Sequence, residues 1–82
     1  MATNNVIPLS NLLPGETGVV QDLAGGRGFV GRLAALGFTP GARVTMVQNF
    51  GHGPIIVLVR DTRIALGRGE ARKVLVRRFV GS

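Results

Sequence analysis

Cysteine, tryptophan and tyrosine are absent from this 82-residue sequence, and histidine occurs once. Without cysteine, neither a disulfide framework nor a thiolate metal site can form. Without tyrosine and tryptophan, recognition through aromatic grooves or base stacking is disfavoured. The longest apolar run, Ile55–Val59, is far too short to cross a bilayer, and the N-terminal MATNNVIPLS lacks the basic and apolar regions of a signal peptide. We therefore expect a soluble, cytoplasmic protein.

Acidic residues are also few, with four Asp and Glu against ten Lys and Arg, for a formal net charge of +6. This excess favours an acidic partner, nucleic acid or an anionic membrane surface, although solvated strand faces carry arginine as well. A chain of this length buries only about 60–65% of its unfolded surface. We expect one domain over residues 1–82, with a core at about 9–78 and frayed ends that include residues 1–5.

The stretch GGRGFVGRLAALGFTPG has the most specific local pattern. Phe29, Leu33 and Leu36 recur at helical spacing. Gly37 follows where helices commonly end in a left-handed residue, and Phe38 then stands where a closing contact to Leu33 is expected. The letters TPGA suit a type II turn with glycine at positive φ. The pattern predicts a short capped helix that turns sharply into a strand.

The rest of the chain is typical of β-structure. Val6 to Leu9 is expected to be extended, and Pro8 confines it to a sheet edge. Five strands are predicted at 16–23, 42–50, 55–60, 63–66 and 73–78. One helix follows the first strand, and a helical turn at 67–72 precedes the last. This order indicates an all-β fold, a small SH3-like barrel of about five strands with an inserted helix.

The strand Ile55–Val59 is apolar on both faces, whereas a strand with one solvated face alternates. Ile56 and Leu58, which point away from the core in such a barrel, therefore need a cover. The helix and a partner protein are both open as that cover, and self-association through this strand is a further expectation.

The glycines Gly26, Gly28 and Gly31 match the dinucleotide fingerprint GxGxxG. The context excludes a doubly wound domain, because the remaining chain is too short and no acidic residue lies about 20 residues further on. We interpret these glycines as structural, with Gly31 allowing close packing of the helix.

Chemistry-bearing residues are sparse. His52, flanked by glycines, is a weak candidate metal ligand, since one imidazole needs further ligands and the carboxylates are scattered. No serine or threonine stands with a credible base. The sequence therefore predicts a protein that is not an enzyme, with no cofactor and no protein-only metal site.

The late basic group supports the alternative function, a basic nucleic-acid-binding small barrel. Its members are Arg60, Arg63, Arg68, Arg72, Lys73, Arg77 and Arg78. No aromatic residues interleave with them and no RNA-binding signature is present, so a surface that faces an acidic protein is favoured over nucleic acid.

Taken together, LSNLLPGETGVV, RLAALGFTPGARV, the apolar strand and RIALGRGEARKVLV resemble the FeoA family, small accessory proteins of bacterial ferrous-iron uptake. The resemblance covers about residues 9–78, and RLxxLGFxPG, which begins at Arg32, is its most specific part. It implies an SH3-like barrel and a non-catalytic role. It also implies docking on the cytosolic region of FeoB, a membrane ferrous-iron transporter with a GTPase domain, so that membrane contact is indirect.

The resemblance transfers no catalytic or iron-binding motif. Homologous domains also occur at the C-terminus of iron- and manganese-responsive repressors. No DNA-binding domain precedes this one, so a free-standing protein is expected. Candidate partner-binding residues come from the helix and the two-sided strand: Phe29, Arg32, Leu33, Leu36, Phe38, Ile56 and Leu58.

Overall fold

The computed structural model describes residues 6–79. Its strands are β1 (Val6–Pro8), β2 (Thr17–Leu23), β3 (Arg43–Gln48), β4 (Ile55–Val59), β5 (Thr62–Leu66) and β6 (Val74–Arg78). Its helices are a 3₁₀ turn (Leu9–Asn11), α1 (Arg27–Ala35) and α2 (Arg68–Ala71). The strands form one antiparallel sheet in the order β1-β6-β2-β3-β4-β5. The predicted fraying at 1–5 and at the C-terminal end, residues 80–82, lies outside the described residues.

The all-β prediction is confirmed, and the sheet has a sixth strand beyond the five predicted. This strand is β1, in which Val6 pairs with Arg77 and Ile7 with Val76. It occupies one edge of the sheet, as expected for a strand that contains Pro8. The extended N-terminal segment counts as a strand because β6 has a free edge that it can pair with.

The core lies between the inward faces of the curled sheet and the helical segments. Ile55, Val57 and Val59 of β4 point into it and are buried. The other buried core residues are Leu9, Leu12, Val20, Leu33, Phe38, Val44, Met46, Leu66, Ala71, Val74 and Val76. Period-two alternation of burial in β4 shows that the strand has two distinct faces, although all five of its residues are apolar.

Helix α1 ends as the sequence predicts. Gly37 has φ +109° and its N–H donates to the carbonyl oxygen of Ala34 at 3.0 Å. The N–H of Phe38 donates to the carbonyl oxygen of Leu33, also at 3.0 Å. These two bonds are those of a Schellman motif, which satisfies carbonyl groups that a helix end otherwise leaves unpaired.

Two Pro-Gly turns, LPGE and TPGA, fasten β2 and β3 to each other. Gly15 (φ +91°) donates its N–H to the carbonyl of Met46 at 2.8 Å. Gly41 (φ +93°) donates its N–H to the carbonyl of Val20, also at 2.8 Å. Each turn therefore bonds to the strand that follows the other turn, which aligns the two strands at both ends of their pairing.

The close-packing role expected for Gly31 is wrong. A methyl group built on Gly31 would meet no atom within 4 Å. Close packing instead requires a glycine in β2, where a methyl on Gly18 would lie 2.9 Å from Cγ2 of Val76. Gly31 faces open space on the exposed side of α1, so its lack of a side chain has no steric cause in this fold.

Candidate functional site

The outward surface of β3, β4 and β5 is the candidate site, and we refer to it as the outer face. Alternate residues of a strand point to opposite sides of its sheet. Because Ile55, Val57 and Val59 are buried in the core, Ile56 and Leu58 point outward, and both remain partly exposed. The structure thus places two branched aliphatic side chains at successive outward positions of one strand.

Strand pairing fixes the neighbours of these two residues. Leu58 lies opposite Thr45 on β3 and opposite Arg63 on β5. Opposed side chains in an antiparallel pair are close enough to contact each other. Thr45, Leu58 and Arg63 therefore form one row of neighbouring side chains across the three strands.

The neighbouring row is centred on Ile56. It lies opposite Gln48, next to a β-bulge in β3, and opposite Ala65 on β5. Ala65 is exposed and offers only a methyl group, so it leaves one flank of Ile56 open. The outer face is consequently apolar around Ile56 and Leu58, with polar or basic residues such as Thr45, Gln48 and Arg63 beside them, and β3, β4 and β5 contain no Asp or Glu.

Helix α1 does not sheath the outer face. Its Leu33 is fully buried in the same cluster as the inward-facing side chains of β4, and its Phe29 packs against that cluster. The apolar stripe of the helix therefore lies on the inner side of the sheet. The sequence allowed either the helix or a partner protein to cover the outward side of β4. The structure excludes the helix as the cover of Ile56 and Leu58.

Two predicted partner contacts are core residues. Leu33 and Phe38 have no exposed surface, so neither can touch a partner while the domain is folded. Leu33 belongs to the helical stripe that the sequence predicts, and Phe38 follows the helix where a closing contact to Leu33 is expected, but both side chains face the interior. Leu36, by contrast, is the C-cap residue of α1 and is 42% exposed, and Phe29 is partly exposed beneath the Lys73 ammonium at 5.5 Å from its ring centre.

Arg32 has an intramolecular partner. Its guanidinium donates to the carboxylate of Glu70, which joins α1 to α2. This hydrogen bond, together with the N–H of Gly67, holds the pKa of Glu70 below its ordinary value of 4.5. Arg32 therefore stabilises the packing of the two helices, while its side chain remains 58% exposed.

Sequence periodicity missed the most exposed apolar side chains. Phe50 is 70% exposed, Leu13 62% and Phe79 46%. Each lies just outside a regular element, where period-two and period-3.6 patterns do not apply. For Phe50 and Leu13 the available signal was a large apolar residue directly beside the glycine or proline of a turn.

Two arginines of the outer face differ in their contacts. The guanidinium of Arg43 lies over the ring of Phe79 at 4.9 Å from its centre. Arg43 also lines a shallow pocket of about 480 Å³ with residues 39–42 and Arg60. Arg63 makes neither a hydrogen bond nor an ion pair with its side chain within residues 6–79. The outer face is therefore positively charged, and its charge is not neutralised by neighbouring acids.

The late basic group does not form one free strip. Arg68 donates to Oδ1 of Asn49 at 2.7 Å and to the carbonyl of Gly53 at 3.2 Å. Arg78 pairs with Glu16 at 3.3 Å. With Lys73 over Phe29 and Arg77 donating to Gln21 at 3.5 Å, four of the seven residues have separate local contacts.

The candidate metal ligand His52 lies exposed in the loop between β3 and β4. Within residues 6–79, no three His, Asp or Glu side chains come together in a way that could hold a metal ion. Across the same residues, none of the helices has the length and apolar character needed to span a bilayer.

Comparison with known proteins gives concordant matches in sequence and structure. Residues 7–78 match the FeoA domain family. A protein of Methanocaldococcus jannaschii, provisionally named Fe(2+) transport protein A, is 33% identical over 69 residues, which are 84% of this chain and 83% of that protein. The crystal structure of an iron uptake regulatory protein, FeoA, has a TM-score of 0.86 and 39% identity, over 90% of this chain and 99% of the other.

A further match is the crystal structure of Stenotrophomonas maltophilia FeoA complexed with zinc, described as a prokaryotic SH3 domain protein. Its TM-score is 0.74 with 36% identity, over 83% of this chain and 86% of the other. These matches confirm the family resemblance and the SH3-like fold expected from the sequence. With the family match spanning nearly all of the described residues, this chain belongs to the FeoA domain family.

Proposed function

We propose that this protein is a non-catalytic, cytoplasmic accessory of ferrous-iron uptake that docks on the cytosolic region of the FeoB transporter. The observation that carries the proposal is the FeoA domain match over residues 7–78, supported by a relative named for Fe(2+) transport. The protein would meet the membrane only through the transporter, whose activity it supports or regulates.

The geometry supports docking over chemistry. The β-sheet has a well-packed interior, and it presents the partly exposed aliphatic side chains of Ile56 and Leu58 on its outer face. Desolvation of such side chains at the centre of an interface supplies much of the binding free energy in protein complexes.

The net charge of +6 gives the second element of the proposed mechanism. Arginines on the surface attract an acidic partner over several ångströms and raise the association rate, more strongly at low ionic strength. Apolar contact then determines how long the complex lasts, because most differences in affinity arise in the dissociation rate.

Titration calorimetry with the purified cytosolic region of FeoB tests the proposal. We expect saturable binding that weakens as salt is raised but persists at moderate ionic strength. An unrelated acidic protein of similar net charge serves as the control for simple charge attraction. Absence of binding to FeoB at both low and moderate salt would contradict the proposal, as would equal binding to the control protein.

Direct metal binding is a second candidate, because the S. maltophilia relative was crystallised with zinc. In this chain, His52 would need ligands beyond those gathered in residues 6–79, for instance from a second copy. Anaerobic Fe(II) titration of the protein and of His52→Ala, with the mass in solution measured in parallel, addresses this. Identical titrations of the two proteins would show that His52 is not a metal ligand.

A further inference from the structure

We propose that the outer face binds an acidic segment of a protein partner. In this arrangement, aliphatic side chains of the segment rest on Ile56 and Leu58, while its carboxylates pair with Arg63 and Arg43. The inference rests on the proposed function and names the surface and the chemistry by which docking would occur.

The apolar centre is the first observation. An antiparallel strand with one solvated face normally places polar residues at its outward positions. In β4 both outward positions away from the ends, Ile56 and Leu58, are branched aliphatic, and α1 packs on the opposite side of the sheet. Ala65 leaves the flank of Ile56 open. Ile56 and Leu58 are both partly exposed, so the fold leaves part of an aliphatic surface in contact with water on this face.

Charge is the second observation, and it specifies the occupant. Among the described residues, Glu16 pairs with Arg78 and Glu70 with Arg32, so these acids are already engaged elsewhere. Arg63 lies beside Leu58 without a carboxylate partner within residues 6–79. Its guanidinium is therefore available to pair with a carboxylate of an acidic partner without breaking an intramolecular ion pair.

Arg43 completes the arrangement at the opposite margin, on β3. The guanidinium carbon of Arg43 lies over the ring of Phe79, 4.9 Å from the ring centre. Stacking on an aromatic ring leaves the edge N–H groups of a guanidinium free, and those groups match a carboxylate in a two-bond geometry. In this arrangement, Arg43 would supply the second guanidinium that pairs with a carboxylate of the segment.

A protein segment fits these observations better than nucleic acid or a bilayer. Phosphate groups would pair with the arginines but would leave Ile56 and Leu58 against a charged backbone. A bilayer surface is bound by an apolar face that is buried about 5–10 Å into the boundary between headgroups and acyl chains, whereas Ile56 and Leu58 are only partly exposed. A peptide segment can offer aliphatic and carboxylate groups at the required spacing.

The test measures the affinity of the FeoB cytosolic region for five variants beside the wild type. Ile56→Thr, Leu58→Thr and Arg63→Gln change the outer face, and threonine keeps the β-branched shape or strand preference that β4 needs. Leu36→Gln and Arg72→Gln are matched controls. Both residues are exposed and lie at helix ends, so the substitutions remove an apolar and a charged side chain outside the outer face. Amide NMR spectra of each variant verify the fold.

We expect Ile56→Thr and Leu58→Thr to weaken binding by about tenfold or more, as for central interface residues. Arg63→Gln should weaken it about threefold to tenfold and reduce its salt dependence. The two controls should stay within about twofold of the wild type, as expected for residues outside the interface. Shift mapping on the labelled wild-type protein should place the largest changes on β3, β4 and β5, which gives a result even where a variant fails to fold.

The outcomes separate the two proposals. If the wild type binds while the three outer-face variants bind as the controls do, or if the shifts map elsewhere, this inference is overturned and the proposed function stands. If the wild type does not bind the FeoB region, the proposed function fails and the occupant named here falls with it. Parallel titrations use a DNA duplex and phosphatidylglycerol vesicles. If the wild type binds the duplex or the vesicles and Ile56→Thr does not, the outer face would be assigned to a different class of partner.

Discussion

The N–H of Phe38 donates to the carbonyl oxygen of Leu33 at 3.0 Å, and both side chains are fully buried in the core. One backbone bond therefore joins the end of helix α1 to the start of the next segment, while the two side chains anchor both sides of that bond. The residue between them that must reverse the chain is Gly37, with φ +109°. This relationship explains why the helix stops where it does.

Replacing Gly37 with alanine should destabilise the protein by about 1–2 kcal/mol, because an L side chain is strained at positive φ. The new methyl would also lie 3.2 Å from Cδ of Arg60, which must shift slightly. Chemical denaturation measures the change in the free energy of unfolding.

Gly31→Ala is the matched control within the same helix. Gly31 is exposed, has negative φ and no neighbour within 4 Å of a built methyl, so alanine should stabilise α1 by about 0.5–1 kcal/mol. Opposite signs for the two substitutions would support the description of the helix end. Equal effects would contradict it.

Leu33→Ala and Leu36→Ala should differ sharply although the residues are three apart on one helix. Leu33 is fully buried, so its truncation leaves a cavity that costs about 2–5 kcal/mol. Leu36 is 42% exposed, and its truncation should cost less than about 1 kcal/mol. Urea unfolding of both variants checks this, and a cost at Leu36 as large as at Leu33 would show that the stripe is packed differently.

Asn49 ties three segments together through its side-chain amide. Its Nδ2 donates to the carbonyl oxygens of Ser10 and Leu12 at 3.0 and 2.8 Å, and its Oδ1 accepts from Arg68 at 2.7 Å. Asn49→Asp keeps the acceptor and removes the donors. We expect a loss of about 1–3 kcal/mol, because two partly buried carbonyls lose their partner and face a carboxylate.

Thermal or urea unfolding of Asn49→Asp provides that measurement. A variant as stable as the wild type would mean that the charge-assisted bond to Arg68 compensates fully, contrary to the role assigned to the Nδ2 donors. Arg68→Gln is the companion variant. It removes the guanidinium that donates to Oδ1 of Asn49 and leaves the Nδ2 donors of Asn49 in place.

The Arg32–Glu70 pair should make stability depend on pH at acidic values. The hydrogen bond from Arg32 lowers the pKa of Glu70 in the folded protein. The pair therefore stabilises fully above the ordinary glutamate pKa of 4.5, and its contribution is lost as the pH falls through the lower folded pKa. The wild type should exceed Glu70→Gln in unfolding free energy at about pH 7, and the gap should close as the pH falls through the lowered pKa of Glu70.

Urea denaturation at several pH values measures that gap, and urea is chosen because it does not screen charges. Arg32→Gln should reproduce the loss, and the double variant should lose little more than either single one. A gap that stays constant between neutral and acidic pH would show that the pair contributes nothing through the charge of Glu70.

Local patterns predicted a large part of the fold. The end of α1 at Gly37, the TPGA turn with Gly41 at positive φ and the edge position of the segment that contains Pro8 follow from the sequence. Each depends on residues that are only a few positions apart, through the φ preference of glycine or the ring of proline.

The candidate site was predicted less completely. The sequence singled out Ile56 and Leu58 because β4 lacks alternation, and the structure leaves both outward and partly exposed. It also proposed Leu33 and Phe38, which are buried. An apolar helical stripe indicates that one side of a helix is buried, but it does not indicate whether that side packs on the domain's own core or on another protein.

By itself, the sequence determined the order of the elements, their turns and the existence of a surplus apolar surface, since these arise from interactions along short stretches of chain. Only the tertiary structure decided which side of the sheet α1 covers, that β1 pairs with β6, and that Arg32 meets Glu70 across 38 residues of chain. Those outcomes depend on contacts between distant segments, whose energies are set jointly by the packing of the whole core and carry no short-range signature.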